Sequence, residues 1–188
     1  TIYRESKRLL ALVHSYLDVL RLDAGARPLN AEPARVGEIV RQVFETLQPL
    51  AAAMDMTLEF SGDDSLVIRA DAALLNGAIL NLVSNAIKYG RQASVITVRC
   101  ARGEDAITLA VHNFGEVIDS RDLPALFSAY YRGHRSRREI RGWGLGLAFV
   151  KRIAEKHGGT ADVDSSEEGT TFTIRLPASV AVAVLEGV

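Results

Sequence analysis

Asn81, Asn85 and Lys88 fall at i, i+4 and i+7, so in a helix they share one face. Their neighbours Leu74, Ile79, Leu82, Val83 and Ile87 are apolar, and Tyr89 closes the run. Two amides and an ammonium on a core-forming helix need partners. Amide oxygens suit a hard cation such as Mg²⁺, which keeps several waters and takes few protein ligands. The lysine suits a phosphate, which it meets as a point charge. The same pattern also fits two solvated amides beside a snorkelling lysine. A second cluster is Gly142-Trp143-Gly144-Leu145-Gly146-Leu147. Alternate glycines let backbone amides approach an anion, and a helix start follows. No Gly-Lys-Ser/Thr follows, unlike a Walker loop, and a basic loop rather than a strand precedes, unlike a dinucleotide fingerprint. A plain flexible hinge remains the alternative. Arg132, Arg135, Arg137, Arg138 and Arg141 lie just upstream, opposed only by Glu139. Such a loop suits a lid over polyphosphate. It also fits a solvated charge run. A nucleic-acid patch is disfavoured, because no array of stacking aromatics accompanies it.

The elements that must position these groups follow from periodicity. Residues 2–23 lack Gly and Pro and carry Leu10, Val13, Leu17 and Leu20 at heptad-like spacing, so they predict a helix needing a partner. Residues 24–34 read as a linker rich in Ala, Pro and Gly. An amphipathic helix is expected over 36–53, with Pro49 as a kink or late boundary. Short strands are expected at 57–60 and 66–68, on either side of Ser61-Gly62-Asp63-Asp64. Asp71 reads as the N-cap of a helix running to Tyr89 and stopped by Gly90. Residues 94–100 and 106–112 predict a hairpin. Residues 113–143 read as irregular, with a short helix near 122–126. A helix over 144–156 or 157 and strands at 160–165 and 170–176 complete the order. That order favours an α+β fold, a two-layer sandwich with helices on one face of a mixed sheet.

Composition agrees with these elements. The 188 residues are 48% apolar and 24% charged, which excludes a disordered or collagen-like chain. The net charge of −1 gives no general reason to expect nucleic acid. Cys100 stands alone, which excludes a disulfide framework and a multi-cysteine metal site and suits a reducing compartment. His14, His112, His134 and His157 show no metal spacing. No apolar run reaches the roughly 18–20 residues of a membrane span, and no signal peptide is visible. The opening in mid-helix suggests a piece of a longer protein.

Together the motifs resemble sensor histidine kinases. Asn81-Leu82-x-x-Asn85-Ala86-x-Lys88-Tyr89 is similar to their N box, and Phe127-x-x-Tyr130-Tyr131-Arg132 to their F box. Gly142-x-Gly144-Leu145-Gly146-Leu147-Ala148, with Val150-Lys151-Arg152 and His157-Gly158-Gly159, resembles the G2 box and its helix. Gly169-Thr170-Thr171-Phe172 is similar to the last glycine box. The resemblance covers roughly residues 1–177 and implies the Bergerat ATP-binding fold of the GHKL superfamily. It implies that Asn85 coordinates Mg²⁺ with help from Asn81, and that Lys88 and Arg132 contact phosphates. Tyr89, Phe127 and Tyr131 would line the nucleotide pocket. Gly142, Gly144 and Gly146 would offer amides to the phosphates, Leu145 and Leu147 would pack beneath the lid, and Thr170 would support the adenine end. Asn81 stands where related ATPases carry a water-activating glutamate. An amide is no general base, which favours phosphoryl transfer over hydrolysis.

One box departs from the family's Asp-x-Gly-x-Gly: here it is Asn113-Phe114-Gly115-Glu116-Val117-Ile118. The family aspartate reads the adenine amino group. Asn113 keeps an acceptor and adds a donor, a pairing that adenine accommodates. Gly115 and Ile118 would stay with the pocket, whereas Val117 is expected to narrow or stiffen it.

The run Leu17-Asp18-x-Leu20-Arg21-Leu22-Asp23-Ala24-Gly25 resembles the second helix of the dimerisation and phosphoacceptor domain. Residues 1–25 are thus expected to belong to that domain, 26–35 to a linker, 36–177 to the ATP-binding domain and 178–188 to a tail. His14 lacks a following carboxylate and reads as a packing residue rather than the phosphoacceptor. The expectation is a histidine kinase catalytic region using ATP and Mg²⁺, with a response regulator receiver domain as partner and a homodimer through the N-terminal helix. Alone, it would not autophosphorylate. A cytoplasmic location is expected, with a membrane anchor elsewhere in the parent protein compatible with it. A nucleotide-binding pseudokinase or dimerisation module, kept open by the altered 113–118 box, and a GHKL-type ATPase are the rivals.

Overall fold

A computed structural model describes residues 28–131 and 144–182. The expected N-terminal helix with His14, and Arg132 and Gly142 with the remaining arginine-rich stretch, lie outside the described residues. The chain order is β1 (Glu32–Arg35), α1 (Val36–Ala52), β2 (Thr57–Gly62), β3 (Val67–Ala70), α2 (Ala72–Tyr89), β4 (Val95–Arg102), β5 (Ala106–Asn113), α3 (Gly146–Lys156), β6 (Thr160–Ser166) and β7 (Gly169–Pro177). Short 3-10 turns occupy Leu123–Ala125 and Ala178–Val180.

Each helix buries one stripe. In α1 this is Val36, Ile39, Val40, Val43, Leu47 and Ala51, the spacing that the sequence shows, and Pro49 sits in the last turn without breaking it. In α2 it is Leu74, Leu75, Ala78, Ile79, Leu82, Val83, Ala86 and Ile87. Asn81, Asn85 and Lys88 are left on the remaining, half-buried face. The Asp71 side chain caps α2 by accepting from the Leu74 N–H at 3.1 Å.

The main sheet runs β2-β4-β5-β7-β6. β2 and β4 are parallel, joined across α2, and the other pairs are antiparallel. One sheet face buries Ile96, Val98, Ile107, Leu109, Val111, Phe172, Ile174 and Leu176 beneath the helices. Each fully buried aliphatic side chain contributes about 1.5–3 kcal/mol. The other face carries Thr108, His112, Thr171, Thr173, Arg175 and Asp162. This is the expected mixed sheet with helices on one side. Cys100 lies buried in it, and burial with the nearby Asp63 charge pushes its thiol up to about 11. It stays protonated and is no nucleophile.

Three local outcomes go beyond the sequence reading. Residues 32–35, inside the stretch read as linker, form strand β1, and Pro33 is tolerated because the sheet has only two strands and hence only edges. β2 and β3 flank one turn but do not pair. β2 takes β4, while β3 turns away to pair with β1. Beyond β7, Ala181 bridges Ile68 and the Val182 N–H donates to the Val67 carbonyl, so the described part of the tail extends the small sheet. Among the described residues no helix is long and apolar enough to cross a membrane.

Candidate functional site

The site forms where α2, the end of β5, the start of α3 and the β6–β7 hairpin meet. On α2, the Asn81 Nδ2 donates back to the Gly77 carbonyl at 2.9 Å. Its Oδ1 then faces α3, so that a Cβ added to Gly146 would lie 2.7 Å from it. Gly146 thus leaves the room that the Asn81 amide oxygen occupies, and a side chain there would have to displace it. α3 opens at Gly146 with no side-chain cap, and the Phe149 N–H reaches the Leu145 carbonyl. The first amides of α3 therefore point past the helix start, in the positive end of its dipole. Leu147 packs on the core beneath them. Leu145, the N-cap, is half-buried.

Further along α2, Asn85 is half-buried and its amide has no hydrogen-bond partner among the described residues. The Lys88 Nζ donates to the Tyr89 hydroxyl at 3.1 Å and lies 4.8 Å from that ring's centroid. At the end of α2, Gly90 bridges Gly115, and the Arg91 N–H donates to the Phe114 carbonyl at 2.6 Å. A Cβ on Gly115 would meet the Tyr89 carbonyl at 2.7 Å. The loop after β5 is thus sewn to the α2 terminus through a contact that only glycine permits. From Asn81 to Tyr89 the helix rises about 12 Å. One face of α2 therefore runs from the start of α3 to the loop that follows Asn113.

Asn113 ends β5 and is only 5% exposed. Its amide has no hydrogen-bond partner among the described residues. Among the described residues no fully enclosed side-chain polar atom lacks a partner, so the Asn113 amide is open to solvent at the end of the sheet. Thr170, its register partner on β7, is also buried. The Thr170 hydroxyl pairs with the Ser165 hydroxyl at 2.8 Å, and the Ser165 Oγ accepts the Ile118 N–H at 3.0 Å. Ile118 thereby holds the loop across the end of the sheet. Val117 is 43% exposed and its φ is not positive. The backbone does not need the second glycine of the family pattern there.

Phe127 meets Phe172 edge-on at 6.2 Å, fixing the segment before the arginine-rich stretch to the core. The Tyr131 hydroxyl donates to buried Asp122 at 2.7 Å. The Tyr130 N–H donates to the Gly144 carbonyl at 2.9 Å, joining the two residues that flank positions 131–143. Gly144 has φ +68°, and a Cβ there would lie 2.5 Å from the Tyr131 carbonyl. Tyr130 takes φ +65°, a costly value for a bulky residue.

His157, which in the sequence only closes the helix after the glycines, joins the two helices that frame the site. Its Nε2 accepts the Asp71 N–H at 3.0 Å, so that nitrogen carries no proton. The proton is on Nδ1, which donates to the Ile153 carbonyl at 2.8 Å. The C-terminus of α3 is thus stapled to the N-cap of α2. Ser165 and Asp122 were missed, because a lone serine in a strand and a lone aspartate in a loop carry no spacing signal. His112, on the open sheet face, donates to or accepts from the Thr171 hydroxyl at 3.0 Å. Burial, then the Arg99 charge, lowers its pKa against the opposing pull of Glu168.

Among the described residues no group of three His, Cys, Asp or Glu side chains gathers to hold a metal. The donors on offer are amide oxygens and backbone N–H groups, which suit a phosphate-bound cation and an anionic ligand rather than a closed metal cage.

Comparison with known proteins agrees with this architecture. Residues 70–180 match the family described as histidine kinase-, DNA gyrase B- and HSP90-like ATPase. The sensor histidine kinase CusS of Escherichia coli (strain K12) is 35% identical over 175 residues, covering 93% of this chain and 36% of CusS. The chain therefore spans little more than a third of that relative's length. Full-length ShkA, crystallised with AMPPNP, superposes with a TM-score of 0.81 at 26% identity, over 96% of this chain and 38% of that one. Histidine kinase ThkA in complex with response regulator protein TrrA gives a TM-score of 0.73 at 22% identity, over 94% of this chain and 49% of that one, a likeness of fold. Taken with the helix, loop and glycine contacts above, these matches place the chain in the histidine kinase-, DNA gyrase B- and HSP90-like ATPase family.

Proposed function

We propose that this chain is the ATP-binding catalytic region of a two-component sensor histidine kinase, transferring the γ-phosphoryl of Mg-ATP to a histidine outside the ATP-binding domain. The observation that carries this reading is the pair of amides, Asn85 and Asn113, that have no hydrogen-bond partner among the described residues, one on the α2 face that leads to the uncapped start of α3 and the other at the end of β5. In this reading Asn113 and Thr170 hold the base, with Gly115, Ile118, Tyr89, Phe127 and Tyr131 around it. The amides at Gly144, Leu145, Gly146 and Leu147, with Lys88, Arg132 and Gly142, take the phosphates. Asn85, assisted by Asn81, supplies the protein oxygen to Mg²⁺, which neutralises charge on the phosphates. The protein contributes positioning and charge neutralisation. No carboxylate stands at Asn81, so no side chain there activates water.

The partners in this reading are a response regulator receiver domain and a second copy joined through the N-terminal helix, in the cytoplasm. The domain limits follow: 1–25 dimerisation helix, 36–177 catalytic domain.

Calorimetry with ATP, with and without Mg²⁺, tests the site. The chain should bind Mg-ATP, and Asn85→Ala should remove the Mg²⁺-dependent part of the affinity. Unchanged binding by Asn85→Ala refutes the metal assignment. Acid-labile phosphate on the parent protein after incubation with ATP, passed on to a receiver domain, would support the kinase reading. Steady phosphate release without it would support an ATPase.

A further inference from the structure

We infer that the site accepts GTP as well as ATP, because the group that reads the base is an amide whose orientation no described residue fixes. This rests on the nucleotide-site reading above. Asn113 is 95% buried by its 5% exposure, sits at the end of β5, and has no hydrogen-bond partner among the described residues. The one polar side chain facing it across the ladder, Thr170, is committed to the Ser165 hydroxyl. Gly115 keeps the space beside the amide open: a Cβ there would lie 3.1 Å from Nδ2. The terminal torsion of asparagine is broad and roughly two-fold, so exchanging Oδ1 and Nδ2 costs little when no neighbour prefers one end.

That freedom matters for purine choice. In one orientation Oδ1 accepts from the adenine 6-amino group while Nδ2 donates to N1. In the other, Nδ2 donates to the guanine O6 while Oδ1 accepts from its N1–H. A carboxylate at the same place can only accept. Opposite the 6-substituent it serves the adenine amino group but sets its negative charge against the lone pairs of guanine O6, and it pairs with guanine only from a register shifted to the N1–H and 2-amino donors. In the register that reads the 6-substituent aspartate therefore favours adenine, whereas asparagine serves either purine. The second orientation leaves neither end of the Asn113 amide unpaired, and an unpaired buried polar group is the usual source of strong rejection.

The test is calorimetric titration of the 188-residue chain with Mg-ATP and Mg-GTP, repeated on Asn113→Asp and Asn113→Ala. The parent should bind the two nucleotides within about tenfold of each other. Asn113→Asp should retain ATP and weaken GTP relative to it by about 30-fold or more. Asn113→Ala should weaken both while leaving their ratio near that of the parent. ATP binding with GTP more than about 100-fold weaker overturns the inference and leaves the nucleotide site standing. An unchanged GTP-to-ATP ratio in a folded Asn113→Asp equally overturns it. Binding of neither nucleotide to the parent overturns the nucleotide-site reading itself.

Discussion

The two ends of the pocket are built differently. The Asn113 end belongs to the sheet: Asn113 and Thr170 are register partners in the β5–β7 ladder, and the Ser165 hydroxyl ties Ile118 and Thr170 together. The Gly146 end belongs to helices. There Asn81 faces the uncapped start of α3, and the separation of the two helices is held at a distance by the His157–Asp71 hydrogen bond. Strand partners share a continuous ladder, so the base end is fixed by many regularly spaced hydrogen bonds. Helix termini have no ladder, so the phosphate end depends on a few long-range contacts. Perturbations should therefore separate the two ends, and such separation is a direct check on the comparison.

The largest effect is expected from His157→Ala. It leaves the Asp71 N–H without its acceptor, removes one of the two hydrogen bonds to the Ile153 carbonyl and opens a cavity, at a cost of about 3 kcal/mol in stability. Chemical denaturation measures this. A change under about 0.5 kcal/mol would show that the staple does not hold α2 against α3. Next comes Gly146→Val, whose Cβ would press on the Asn81 Oδ1. ATP affinity should fall on the order of 50-fold, while adenosine, which lacks phosphates, should lose less than about threefold. Equal losses for both ligands would mean that the two ends do not act separately. The smallest effect is expected from Ser165→Ala, which deprives the Ile118 N–H of its acceptor at the base end. Stability should drop by about 1 kcal/mol, with adenosine and ATP weakened by the same small factor. A selective loss of ATP would reverse the assignment of this end.

The elements carrying the site were legible because each has a strong local period. α2 shows an apolar stripe, the Asp71 cap and the Gly90 stop, so its polar face follows from spacing alone. The β4–β5 hairpin shows two β-rich runs around a short polar turn. Strand β1 was hidden because four residues containing a proline carry no alternation long enough to read. The parting of β2 from β3 was hidden as well. Both flank one turn, and only the competition of β1 and β4 for their edges separates them. Val117 illustrates the reverse case. The sequence shows that the second glycine of the family pattern is replaced, but only the fold shows that the backbone there avoids positive φ and so accepts a β-branched side chain.

By itself the sequence determined which residue types share a helix face, where glycines precede a helix start, and that the base reader is an amide rather than a carboxylate. These are properties of spacing and side-chain chemistry, which need no neighbour from elsewhere in the chain. Tertiary structure decided which groups those residues meet. His157 bonds Asp71 across 86 positions, Ser165 holds Ile118 across 47, and Asn81 touches Gly146. It also decided that the Asn85 and Asn113 amides stay unpartnered among the described residues. A side chain's donors and acceptors are written in its type, but whether they are used depends on which distant segments pack beside it, and packing decides that.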